Sequence, residues 1–307
     1  MSASTVEVRR AAELIRAGEL VAFPTETVYG LGANALDAGA VARIFAVKGR
    51  PRHSPLIVHV ESVEMARALA LAWPDAAETL ARRYWPGPLT LVVPKQACIP
   101  DIVTAGLPTV GLRMPAHPLA LALIREAGVP LAAPSANYFM RLSPTTAEHV
   151  RRALGEAVAM VLDGGPASVG IESTVLSLAG EGPRLLRPGV IPLPEIESLI
   201  GPVRATSAAG EGAHPSPGMH ARHYTPRTAL LLLGAEEAPP SGRGAWLRLG
   251  REMPPEPRAY AAALYAALHR LDEEELDWIA VEHPPDTPEW AGVLDRLRRA
   301  AALDKAT

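Results

Sequence analysis

The sequence predicts an α/β protein in two parts: a large domain on a twisted mixed sheet covered by helices, and a smaller α/β unit after it. Three observations carry this. Strand-like and helical periods alternate through about residue 200. The stretch GPVRATSAAGEGAHPSPG is rich in Gly, Ser, Ala and Pro and lacks apolar periodicity, so it reads as a linker. A shorter α/β alternation of Rossmann-like character follows it, and 307 residues exceed the roughly 250 at which single cores divide.

Taken in order, VEVRRAAELIRAGE has helical spacing and stops at Gly18, a glycine suited to a helix C-terminus, before the strand ELVAFPT. DAGAVARIFAV is a helix, PLIVHV a strand, and a further helix runs from Ser62 to about Leu71. Another begins at Asp75, where Asp-Ala-Ala-Glu has the form of a capping box. Strands follow at PLTLVV and TVGLRMP. Pro118 sits at a first helical position, Gly128 closes that helix, and VPLAAPSAN is the next strand. Ser143-Pro144 opens a helix, and AVAMVLDGG, STVLSLAG and PRLLRPGVI complete a strand-rich run. Beyond the linker come a strand, TALLLLG, a helix from about Arg258 to Leu271, a strand, WIAVE, and a last helix, AGVLDRLRRAA.

Composition narrows the function. A net charge of -3 with no basic run argues against a dedicated nucleic-acid surface, and no apolar run approaches the roughly 18 residues of a membrane span. The amino terminus lacks the apolar core of a secretory signal, and Cys98 is the one cysteine, so the cytoplasm is the expected compartment. Of 30 basic side chains only Lys48, Lys95 and Lys305 are lysines. Lys48 lies in the densest basic cluster, KGRPRH, where a rotatable ammonium reaches differently from a flat guanidinium. His220 and His223 in HARHY lack a third metal ligand nearby.

Four apolar strands end in polar residues: LVAF in PTETVYG, PLIV in His59, VGL in Arg113, and PLAAP in Ser135 and Asn137. Each alone has a bland explanation as a turn, core histidine, surface charge or loop hydroxyl. Together they gather cations, hydroxyls and an amide where an α/β sheet collects its site, a set suited to an anionic, phosphorylated ligand.

The stretch FPTETVYGLGANA, the Lys-x-Arg of KGRPRHSPL, the Ser-x-Asn of APSAN, and the later ESTV and LRPG together resemble the YrdC-type threonylcarbamoyl-adenylate synthases. SPGMHARHYTP resembles the linker of their longer, two-domain form. The resemblance implies a YrdC-like catalytic domain over 1–200, a linker over 201–226 that covers the active site, and a small carboxy-terminal domain over 227–307. It also implies formation of threonylcarbamoyl-AMP and pyrophosphate from L-threonine, bicarbonate and ATP. Mg2+ bound through the ATP phosphates is the implied cofactor, and downstream tRNA threonylcarbamoyl-transfer proteins that modify position 37 are the implied partners.

Carried over by motif, Arg50, Ser54, Thr109, Ser135, Asn137, Ser143 and Arg187 match nucleotide-contacting positions, with Tyr224 or its neighbours touching ATP. Lys48 and Arg50 match the catalytic neutralisation of charge on departing pyrophosphate. Thr27, His59, Arg113, Ser173 and the backbone at Ala133 match L-threonine-contacting positions. Glu26 and Glu172 are further candidates for the metal or the amine. The competing reading is an RNA-binding module of the same fold without synthase activity, with weak, salt-sensitive affinity. A carbamoyl-adenylate step in hydrogenase maturation would bring cysteine-rich zinc fingers, which one cysteine excludes.

Overall fold

The amphipathic opening helix α1 (Thr5–Arg16) buries Val8, Ala11, Ala12 and Ile15, and Gly18 (φ +79°) turns the chain into β1 (Val21–Phe23). A six-residue loop leads back through β2 (Gly30–Asn34), antiparallel to β1. Asp37 caps α2 (Ala38–Lys48), accepting hydrogen bonds from the Gly39 and Ala40 amides. Then follow β3 (Ile57–His59), α3 (Val63–Leu69), α4 (Asp75–Tyr84), β4 (Leu89–Pro94), α5 (Asp101–Thr104), β5 (Thr109–Arg113), α6 (Pro118–Ala127) and β6 (Leu131–Ala132). The large domain closes with α7 (Ala147–Leu154), β7 (Met160–Val161), β8 (Thr174–Ser177), β9 (Arg184–Arg187), α8 (Leu193–Ile200) and β10 (Arg204–Ala205). The second part contains β11 (Ala229–Leu233), β12 (Gly244–Leu247), α9 (Pro257–Leu271), β13 (Trp278–Glu282) and α10 (Ala291–Ala300). This computed structural model describes residues 5–205, 222–234 and 236–301; most of the linker, His220 included, lies outside the described residues, as does Lys305.

The large sheet has ten strands in the order β10-β9-β8-β4-β5-β3-β6-β2-β1-β7 and mixes parallel with antiparallel pairs. The smaller sheet is parallel throughout, in the order β11-β13-β12. Its apolar core is not self-contained: Val28, Leu142 and Ile171 of the large domain and Tyr224 of the linker's end are packed into it. The two parts therefore share buried surface, which couples their stabilities.

Local expectations need five corrections. Asp75 does not cap α4: Pro74 is the N-cap, and Glu78 instead accepts hydrogen bonds from Arg67 and Trp73. The helix assigned to Ser143-Pro144 begins at Ala147, capped by Thr146, because Ser143 is buried against Glu172. The strand β2 is hidden in GLGAN, and β12 makes the small sheet three-stranded rather than two. The large sheet also continues past residue 200, where β10 pairs with β9.

Candidate active site

The site grows from the register of three strands. Parallel pairing of β3 with β5 sets His59 directly beside Arg113, and antiparallel pairing with β6 sets it beside Leu131. The chain after β6 is tied to the loop after β1. Leu31 donates to the Pro134 carbonyl (2.8 Å), and Ala136 donates to that of Tyr29 (2.8 Å). Thr25 folds the PTETVYG loop on itself: its hydroxyl donates to the Val28 carbonyl (2.6 Å) and meets the Thr27 hydroxyl at 2.9 Å.

These segments border a cleft lined by Thr27, Arg50, His59, Arg113, Ala133, Ser135, Ser173, Arg187 and Tyr224, all singled out in the sequence. Thr25, Val28, Gly30, Ile57, Pro134, Glu172 and His223 complete the lining. Thr25 and Val28 flank Thr27 in its motif and were within reach of sequence reasoning. Glu172, a sequence candidate for the metal or the amine, is in this lining, whereas its companion Glu26 is not.

Two groups of charge face this cleft. In the first, Arg113 donates through Nη2 to Glu26 Oε1 (2.7 Å) and through Nε to the Gly87 carbonyl (3.3 Å), while Glu26 Oε2 accepts from the Ala116 amide. Arg113 Nη1 has no protein partner among the described residues. His59 is held neutral: burial, then the neighbouring Arg113 charge, pushes its pKa down to about 3. Its Nδ1 is buried without a hydrogen-bond partner among the described residues.

In the second group, Arg50 donates to the Ser54 and Pro55 carbonyls and lies over the Phe139 ring. Burial pushes its pKa down to about 10, which leaves it a cation at neutral pH. Arg187 donates through Nε and Nη2 to the Ser173 carbonyl and through Nη2 to the Ser173 hydroxyl. Tyr224 is buried and holds a left-handed backbone (φ +61°), an uncommon conformation for a side chain of that size. The flanking backbone is pinned on both sides: Thr225 donates to the Met140 carbonyl and His223 to that of Arg299.

Besides Glu26, five sequence candidates stand outside the cleft lining. Lys48 is buried at the end of α2, and its Nζ donates to the Ser135 carbonyl (2.6 Å) and to the Asn137 carbonyl. Burial, then the Arg50 charge, holds its pKa well below the usual lysine value. Its ammonium is engaged in holding the Ser-x-Asn loop. Asn137 donates to the Tyr138 and Arg141 carbonyls, leaving its Oδ1 buried without a partner among the described residues. Ser143 donates to Glu172 Oε1 (2.6 Å), Ser54 is buried, and Thr109 borders a separate small cavity beside Ile57. Lys95 is engaged by Ile99 and Asp101, and Cys98 is an exposed loop residue.

Residues 13–189 match the family model for Sua5, YciO and YrdC, described as telomere recombination, and residues 191–302 match the threonylcarbamoyl-AMP synthase C-terminal domain. The chain belongs to the Sua5/YciO/YrdC family. Within it, the chain is 43% identical to the threonylcarbamoyl-AMP synthase of Bacillus subtilis, across 98% of this chain and 94% of that one. It is 50% identical to that of Pyrococcus abyssi over 74% of this chain and 68% of the other. The crystal structure of P. abyssi Sua5 complexed with L-threonine superposes with a TM-score of 0.91 at 40% identity, covering 98% and 96% of the two chains. The two-domain Sua5 arrangement, with both sheets, is thus the architecture of this chain. The Sua5/YciO/YrdC family model ends at 189, although α8 and β10 still pack on the large domain.

Proposed function

We infer that this chain is a threonylcarbamoyl-AMP synthase, joining L-threonine, bicarbonate and ATP into threonylcarbamoyl-AMP with release of pyrophosphate. The observation that carries the reading is a single cleft with two differently equipped parts. Arg113 and the neutral His59 stand in register on β5 and β3, while Arg50 and Arg187 share the second part with Tyr224.

In this reading the carboxylate of threonine docks on Arg113, whose Glu26 partner fixes the guanidinium. The threonine amine must shed its proton before it captures carbon as a carbamate, and an imidazole that stays neutral adds no positive charge to oppose the approach. Thr27 and Ser173 offer hydroxyls, and the backbone at Ala133 offers a polar contact. Arg50 and Arg187 face the triphosphate, where negative charge grows on the departing pyrophosphate as a carbamate oxygen attacks the α-phosphorus. Holding the reactants in line contributes on the order of 7–11 kcal/mol in well-oriented systems. Lys48 acts behind this surface, by holding the loop that carries Ser135.

The residues present do not fit a resident metal. No group of three His, Cys, Asp or Glu with metal-holding geometry exists among the described residues, and Glu26 and Glu172 are each paired with an arginine. Mg2+ is accordingly proposed to enter as a complex with ATP, held by the phosphates. The product is labile and is proposed to pass to tRNA threonylcarbamoyl-transfer proteins. No helix among the described residues is long and apolar enough to cross a membrane.

The reading is tested by supplying ATP and bicarbonate with each amino acid in turn and following pyrophosphate. Threonine should be preferred over serine by roughly 10- to 200-fold, the discrimination one methyl group provides. Release that is independent of the amino acid would defeat it.

A further inference from the structure

The cleft wall contains a carboxylate that a triphosphate site would not tolerate uncompensated. Glu172 is buried there, and its compensation comes from the other domain. Arg296, on α10 and 1% exposed, donates through Nε to Glu172 Oε2 (2.7 Å) and through Nη2 to the Glu172 carbonyl (3.2 Å). Its Nη1 donates to the Pro188 carbonyl (2.9 Å) and to Asp295 Oδ2 (2.7 Å). Tyr265, on α9, donates to Glu172 Oε2 (3.1 Å), and Ser143 donates to its other oxygen. The guanidinium carbon of Arg296 lies 5.2 Å from the centre of the Tyr224 ring, so one side chain touches two residues of the cleft lining, Glu172 and Tyr224.

The approach of α10 is itself built for this contact. A Cβ at Gly292 would lie 2.5 Å from the Gly189 carbonyl oxygen, so glycine permits the close seating that delivers Arg296, one turn later, to Glu172. The electrostatics follow. Burial pushes the Glu172 carboxyl up, but Arg296 first, then Arg187 and the Ser143 hydroxyl, hold it below the usual range and therefore ionised. Were Arg296 absent, Arg187 would be the remaining guanidinium acting on Glu172. Its charge would be drawn away from the nucleotide, and Glu172 would repel the phosphates.

We propose that Arg296 is a positioning residue for the nucleotide part of the site, through which the carboxy-terminal domain acts on the reaction. It neutralises Glu172, so that the carboxylate does not repel the phosphates, and supports the Tyr224 ring. This rests on the synthase reading, yet it fails separately. ATP binding by the parent tests that reading, whereas the ratio of variant to parent tests this one.

The experiment uses the full chain and four proteins: the parent, Arg296→Met, Glu172→Gln and the double variant. ATP and threonine are titrated separately by calorimetry, KM for ATP and kcat are measured, and thermal unfolding serves as control. Arg296→Met should weaken ATP at least about tenfold, with threonine affinity within about threefold of the parent. The double variant, which removes both charges, should recover most of the lost ATP affinity, a recovery that merely lost packing would not give. Equal loss of both ligands without recovery in the double variant would overturn the proposal. So would parent-like ATP affinity in Arg296→Met. If Arg296→Met does not fold, the double variant decides alone: folding with ATP affinity near the parent supports the proposal, and failure to bind ATP overturns it.

Discussion

Replacing Arg113 by lysine separates the threonine part of the cleft from the nucleotide part. In the proposed reading one guanidinium serves two anions: Nη2 holds Glu26 at 2.7 Å, and Nη1 is left for the threonine carboxylate. A lysine has one compact ammonium and cannot reproduce the fork. If it stays on Glu26, threonine loses its carboxylate partner. If it turns to threonine, Glu26 is left buried without its cation, a change that costs roughly 3–5 kcal/mol when a buried pair is broken. In the first case threonine loses a hydrogen bond to a charged group, about 1.5–3 kcal/mol, or roughly 10- to 150-fold in Kd; in the second the cost of the broken pair is set against threonine binding. ATP, proposed to face Arg50 and Arg187, should bind within about twofold of the parent. Calorimetric titration of each ligand into folded protein reads both numbers. Parallel loss of ATP and threonine would refute the division of the cleft into two parts.

Three further outcomes are expected. Lys48→Met leaves the Ser135 and Asn137 carbonyls without their donor, at about 1–3 kcal/mol for each buried group, so turnover should fall further than threonine KM rises; parent-like turnover and melting temperature would remove its positioning role. Tyr224→Ala should weaken ATP by about 5- to 150-fold, the range for loss of a stacking aromatic, with threonine affinity nearly unchanged, and equal ATP affinity would show that the ring does not touch the nucleotide. Acid should destabilise the fold. His59 has its pKa pushed down to about 3, and His149, stacked on His269 at 3.9 Å, has its own lowered to about 4, so between those values and 6.5 the unfolded chain binds more protons than the native one. Stability should therefore decline as pH falls from 6.5, by up to about 1.4 kcal/mol per unit for His59. Melting curves from pH 7 to 5 check this, and a slope no smaller in His59→Asn than in the parent would contradict it.

Much of this site was legible because strand ends are legible. His59 and Arg113 each terminate an apolar run, and β-pairing then needs no further information to set them side by side. The strand β2 was not, because Gly30 and Gly32 carry no strand signal. Their reason is tertiary: a Cβ at Gly32 would fall 2.7 Å from the Phe23 ring. The role of Lys48 was also hidden. Its place among basic residues marked it for phosphate, whereas burial turned it toward two backbone carbonyls. Glu172 and Arg296 are 124 residues apart, and nothing local to either distinguishes it from a solvated charge. Only the docking of α10 reveals them as one unit, and the same docking brings the small domain against a residue of the cleft lining.

The most direct measurement of the central claim follows carbon from isotopically labelled bicarbonate in the presence of ATP and L-threonine. The expected result is label in threonylcarbamoyl-AMP, formed one-to-one with pyrophosphate and lost when threonine is omitted. Pyrophosphate released without label in the adenylate, or no adenylate at all from folded protein that binds both ligands, would contradict the account.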